Sequence, residues 1–182
     1  YDPQTYRFVR KAAHAIDYGL DFYAPQTLES PDGRRIMIAW MQSWESSHDH
    51  ATASKWFGMM TLPRELSLKE GRLIQKPVRE LEKYRQNGVF YTDVDVQQRL
   101  QLPSVQGRCV DMTVNVHPSG GRLYDKFIIK VAKDTRFYTS IIYEPGESIL
   151  TFDRGRSGLR RDIVSTREAV TRFRDGRITL RI

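Results

Sequence analysis

The sequence predicts an all-β chain built of two β units joined by one short helix. Two hairpin signals near the start, one proline-opened helical stretch, and a long run of short alternating strands with glycine turns predict it. In the first hairpin, S-P-D-G-R-R (residues 30–35) separates two apolar runs. Pro31 presets one backbone angle and Gly33 supplies a positive one, so residues 22–29 and 35–41 are expected to pair as antiparallel strands. In the second, residues 59–69 alternate, turn at Glu70 and Gly71, and return as R-L-I-Q over 72–75. F-V-R-K, residues 8–11, adds a short expected strand after a Pro/Gln/Thr turn at the start.

Pro77 opens V-R-E-L-E-K-Y-R-Q-N-G, where Val78, Leu81 and Tyr84 follow helical spacing and Asn87–Gly88 ends the run. Seven strand-like segments follow, at V-F-Y-T-D-V, Q-R-L-Q-L, R-C-V-D-M-T-V-N-V, D-K-F-I-I-K-V-A, F-Y-T-S-I-I-Y, S-I-L-T-F-D and R-I-T-L-R-I. Their turns are P-S-G-G-R, E-P-G-E and R-D-G-R. Short alternating strands at this spacing are the pattern of a sandwich or barrel. The expected domains are therefore 1–75, a connector over 76–88, and 89–182.

Composition narrows the function classes. The chain has 182 residues, 40% hydrophobic and 28% charged, which suits a globular protein. No apolar run approaches the ~20 residues needed to cross a bilayer, so no membrane partner is expected. The net charge of +7 comes largely from late arginines (Arg154, Arg156, Arg160, Arg161, Arg167, Arg172, Arg174, Arg177, Arg181). These alternate with Asp153, Asp162, Glu168 and Asp175, and no recognition helix or stacking motif accompanies them. They read as a solvated strand face, and no nucleic-acid partner is expected. The single cysteine, Cys109, excludes an internal disulfide and is expected to be a buried structural thiol. That usage suits a reducing compartment, so a cytoplasmic location is expected, with secretion as the alternative.

The candidate site is D-Y-G-L-D-F-Y-A-P-Q-T, residues 17–27. Asp17 and Asp21 are carboxylates set among Tyr18, Leu20, Phe22 and Tyr23, where partly desolvated acids can act on a polar ligand. The competing reading is a strand end at which the aspartates form Asx turns around Gly19. Cleavage of a glycoside by a retaining mechanism needs two carboxyl groups about 5–5.5 Å apart. Four positions along a strand place Asp17 and Asp21 roughly 13 Å apart, which fits the binding of hydroxyls better than bond cleavage. Trp40, Trp44 and Trp56 bracket a polar loop over 43–55, and tryptophan faces stack on sugar rings. Trp40 is expected in the core and Trp44 in the ligand site. His48, Asp49 and His50 have two residues of metal-ligand spacing but no third or fourth ligand nearby, so no metal and no cofactor is expected.

Taken in order, D-Y-G-L-D-F-Y-A-P-Q-T, G-R-R-I-M-I-A-W-M-Q-S-W, G-M-M-T-L-P-R-E-L-S-L and L-I-Q-K-P-V-R-E-L resemble glycoside hydrolase family 32, notably its bacterial sucrose-6-phosphate hydrolases and β-fructofuranosidases. L-T-F-D-R-G-R-S-G (150–158) and the terminal L-R-I are similar to that family's last domain. The resemblance implies a five-bladed β-propeller followed by a β-sandwich. Residues 1–75 would be the end of the propeller, 76–88 the linker helix and 89–182 an incomplete sandwich. It implies a fructose-containing saccharide as ligand, with Asp17, Asp21, Phe22, Tyr23 and Trp44 lining its site. The family's W-M-N-D-P-N-G, R-D-P and E-C-P motifs, which carry its catalytic carboxylates, do not occur in these residues. The implied chain is thus an inactive portion of a glycosidase, expected to associate with the missing propeller portion or to form oligomers. The rival expectation is a non-catalytic carbohydrate-binding module that uses the sandwich.

Overall fold

The structure is a computed structural model that describes residues 1–10, 12–42, 58–158, 165–172 and 174–182. Among these, strands β1 (Tyr23–Glu29), β2 (Arg35–Trp40), β3 (Arg64–Lys69) and β4 (Arg72–Pro77) form one antiparallel sheet in sequence order. A four-stranded up-and-down sheet of this kind is the unit of which β-propellers are built. Both predicted hairpins are present. Gly33, at φ +79°, closes the first turn with its N–H on the Ser30 carbonyl. Glu70 and Gly71 both take positive φ, the primed turn that suits the twist of a two-residue hairpin. The sheet's buried face is carried by β2, where Met37 and Ala39 alternate inward and are almost fully enclosed.

The connector is a six-residue 3-10 helix, Arg79–Tyr84, and not the longer helix expected from the periodicity. β4 keeps its pairing through Pro77. Val78, at ψ 140°, is not helical and Arg85 returns to extended backbone, which confines the helix to a length at which 3-10 turns are common.

After the connector come β5 (Thr113–Val116), β6 (Phe127–Val131), β7 (Thr139–Glu144), β8 (Ile149–Asp153), β9 (Thr166–Val170) and β10 (Ile178–Arg181). β6–β7–β8–β9 form a second meander, and β5 pairs with β10. No strand forms at residues 8–10, the described part of the first expected strand, or at 89–94 and 98–102. Of 108–116 only the last four residues form a strand, extended by the backbone bonds that Met112 exchanges with Ile182. β9 lies within the arginine-rich run and is a strand that the turn signals did not delimit. Tyr143, fully buried on β7, is the centre of this unit's core, with the Tyr124 ring edge-on at 6.3 Å. The Tyr124 hydroxyl donates to the Gly176 carbonyl at 2.6 Å, and desolvation raises its pKa to about 12.

Two burial expectations are overturned. Cys109 is exposed because residues 86–112 form no strand that could cover it. Trp40 is 41% exposed, since it ends β2 one residue beyond Ala39 and on the opposite face. More generally, the chain exposes 15255 Å². A compact monomer of 21.3 kDa would expose about 9,100 Å². Phe90, Phe8 and Val170 are among the apolar side chains left in solvent.

Candidate functional site

The candidate site is the loop that leads into β1. Asp17 and Asp21 both precede the strand, which begins at Tyr23. Strand spacing therefore does not govern their separation. Asp17 makes the Asx turn that the sequence allowed: its Oδ1 accepts the Gly19 N–H at 2.6 Å. A Cβ on residue 19 would stand 2.7 Å from that same oxygen, so any larger residue there would displace the carboxylate. The other oxygen, Oδ2, accepts from Arg64 Nη1 at 2.6 Å.

Arg64 was not among the residues singled out from sequence, yet it organises the site. It stands at the head of β3, where Pro63 fixes the approach. Besides holding Asp17, its Nη1 donates to Gln75 Oε1 at 3.0 Å, and its guanidinium lies 5.0 Å from the centre of the Phe22 ring. Gln75, on β4, completes the clamp by donating from Nε2 to the Ile16 carbonyl at 2.6 Å. One arginine thus joins a carboxylate, an amide and an aromatic face. The side chains of Arg64 and Asp17 are only 24% and 15% exposed, which keeps the pair largely out of bulk solvent. The only sequence signal was the charged pair Arg64–Glu65 inside an apolar strand.

Asp21 and Phe22 are half-buried and Tyr23 is half-exposed on the same loop. The structure therefore brings Asp17, Phe22 and Arg64 together, with Asp21 and Tyr23 adjacent in the chain. Trp44, Trp56 and the triplet His48, Asp49 and His50 lie outside the described residues. On its outer side the loop meets the second unit. Tyr18 and Gly19 border a mainly apolar cleft of about 270 Å³ together with Leu150, Phe152, Ala169 and Leu180.

Two further ionic clusters hold the connector in place. Arg34 donates from Nη2 to Glu80 Oε1 at 2.5 Å, from Nη1 to Glu65 Oε2 at 3.3 Å and from Nε to Asp32 Oδ2 at 2.8 Å. Hydrogen bonds from Ser30 and then Arg34 draw the Asp32 carboxyl down to about 2, and the Arg34 bond does the same for Glu80. Asp111 receives Arg181 and Arg85, at 2.9 and 2.7 Å, and those bonds likewise lower its pKa to about 2. The first cluster binds the connector to the leading sheet, and the second binds its exit to the last strand.

The arrangement resembles solved carbohydrate-active enzymes. A β-fructofuranosidase of family 32 from Bombyx mori superposes on 99% of this chain and 42% of its own, with a TM-score of 0.62 and 22% identity. Sucrose-6-phosphate hydrolase from Lactobacillus gasseri covers 91% of this chain and 33% of its own, with a TM-score of 0.57 and 18% identity. The fold class is that of the propeller-and-sandwich glycoside hydrolases.

Sequence comparison is more specific. The model of the glycosyl hydrolases family 32 N-terminal domain matches residues 1–77, and that of the family 32 C-terminal domain matches residues 80–182. The chain belongs to glycosyl hydrolase family 32. Raffinose invertase of Escherichia coli is 37% identical over 123 residues, 68% of this chain and 25% of that protein. Sucrose-6-phosphate hydrolase of Staphylococcus xylosus is 33% identical over 146 residues, 80% of this chain and 28% of that protein. The matched region is thus roughly a quarter of these curated relatives.

Proposed function

We propose that the chain is part of an enzyme that hydrolyses β-fructofuranosides, such as sucrose, its 6-phosphate or fructans, with retention of configuration. The observation that carries this reading is the order of the two family domains, meeting at the 3-10 connector. The names of the similar proteins, raffinose invertase and sucrose-6-phosphate hydrolase, support the substrate class. In this reading the loop over 17–27 is one rim of the sugar site. Asp17 shapes the loop, and its remaining lone pairs, together with Asp21, accept hydroxyl hydrogen bonds. Phe22, Tyr23 and Trp44 supply apolar contact to the fructosyl unit. The nucleophile and the acid/base carboxylate are supplied from outside these 182 residues, because W-M-N-D-P-N-G, R-D-P and E-C-P are not found here. On this reading the boundaries fall at 1–75, 76–88 and 89–182.

Hydrolysis of sucrose, sucrose 6-phosphate and inulin by the purified 182-residue chain tests the proposal. No release of fructose above background is expected. Adding a polypeptide that carries the three absent motifs is expected to restore turnover, with KM raised by Asp21→Ala. Turnover that copurifies with the 182 residues alone would sink the division of labour proposed here.

A further inference from the structure

We infer that the cleft between the 118–124 loop and the β9–β10 connection is a second ligand site, one that takes a small hydroxylated molecule bearing a single anionic group. This inference stands apart from the hydrolase reading and uses none of its residues. The cleft has a volume of about 390 Å³ and is lined by Pro118, Gly121, Leu123, Arg174, Asp175 and Arg177. That is the size of a monosaccharide-scale site, at the small end of the ~300–1,000 Å³ common for ligand pockets.

Its walls are fixed relative to each other. The Tyr124 hydroxyl bonds the Gly176 carbonyl across the cleft at 2.6 Å. A Cβ on Gly176 would meet Leu123 and Pro118 at 2.8 Å, so the connection packs on the loop as closely as backbone permits. On the facing wall, Gly121 has φ +71° and its Cβ position is open, which lets a ligand approach the main chain.

Arg174 supplies the charge and the direction. Its Nε donates to Oγ of the buried Ser148 at 3.0 Å, which sets the plane of the guanidinium. Among the described residues neither Nη of Arg174 has an acceptor, so the fork that binds carboxylate or phosphate in two bonds is left open. Arg177 adds a second positive charge on the rim. Asp175 accepts the Arg177 N–H at 3.0 Å and stands 3.9 Å from its guanidinium, leaving carboxylate lone pairs for a ligand hydroxyl. A fixed guanidinium, an open backbone wall and one acceptor select a sugar phosphate or a sugar acid over a neutral sugar.

Calorimetric titration of the 182-residue chain with glucose 6-phosphate, glucuronate, inorganic phosphate and glucose tests this. Saturable binding of glucose 6-phosphate, of glucuronate or of both is expected, and which of the two binds tells phosphate from carboxylate. Inorganic phosphate and glucose are expected to bind at least about 10-fold more weakly, because each satisfies half of the site. Arg174→Gln is expected to weaken binding about 10- to 100-fold, while Arg136→Gln, at the other end of the second meander, leaves it unchanged. Should Arg174→Gln fail to fold, Arg174→Lys keeps the charge but loses the fork, and a loss of about 5-fold or more is expected. No binding of either anion up to about 10 mM, equal binding by the Arg174 variant, or glucose binding as tightly as its phosphate would each overturn the assignment.

Discussion

Arg64, at the head of β3, holds the carboxylate of Asp17, 47 positions earlier, with Nη1 at 2.6 Å from Oδ2. The pair joins the loop before β1 to a strand it does not touch in the sheet order. Removing either partner leaves the other charge in a poorly solvated place. Arg64→Ala is expected to destabilise the protein by about 1–3 kcal/mol, the usual cost of orphaning a partly buried charged hydrogen-bond partner. In a double-mutant cycle with Asp17→Asn, the two changes should cost clearly less together than the sum of each alone, read from urea unfolding midpoints. Additive costs would mean that the clamp contributes nothing as a pair.

Acid should loosen the connector before it melts the sheets. Asp32, Glu80 and Asp111 all titrate near about 2 in the folded chain, against ordinary values of 3.8, 4.5 and 3.8. A carboxyl with a lowered folded pKa binds protons more readily when unfolded, so its stabilisation is complete above its ordinary value. It then falls away as the pH drops through the folded value. Stability is expected to be flat from neutrality to about pH 4.5 and to decline from there towards about pH 2. Asp2 and Asp134, also lowered by hydrogen bonds, add to the decline; Glu80→Gln removes one contribution and should make it shallower. A decline of equal steepness in the variant would show that the Arg34–Glu80 bond is not its source.

Where sequence and structure agree, the signals are local. Pro31 and Gly33 dictate a turn by backbone geometry alone, and Met37 and Ala39 alternate inward because a strand has period two. The Asx turn at Asp17 was equally local, needing only Gly19 two residues on. Arg64 was illegible for the opposite reason. Its partners, Asp17, Phe22 and Gln75, are distant in sequence and become neighbours only once β3 and β4 are in place. The missing strands over 89–94 and 98–102 fail similarly. Val89, Phe90, Val94 and Leu100 have the composition of a strand, but a strand forms only against a partner edge, and among the described residues none is offered there.

Glu70 offers a gain in stability. It holds φ at +51° beside Gly71 in the two-residue turn joining β3 to β4, a backbone region that an L side chain enters at a cost. Asparagine tolerates that region and is favoured at this turn position. Glu70→Asn is expected to stabilise the chain by about 0.5–1 kcal/mol, seen as a higher urea midpoint with an unchanged slope. A neutral or negative effect would argue that the hairpin is not closed by this turn in solution.

The excess of exposed surface makes a prediction about state in solution. The 15255 Å² left in solvent includes Phe90 at 91% exposure, with Val89 and Tyr91 beside it. Isolated apolar side chains on a surface are ordinary, but a contiguous apolar segment is a place where another surface docks. β1 and β4 are also edge strands of the first sheet, and their unpaired main-chain groups favour pairing with another chain. The purified 182-residue chain is therefore expected to associate with itself, eluting above its 21.3 kDa mass in a concentration-dependent manner. Phe90→Ser should shift elution towards the monomer by removing the most exposed ring. A polypeptide supplying further blades should compete with self-association, since it would cover the same edges. A monodisperse monomer at every concentration would mean that the exposed segment needs no cover.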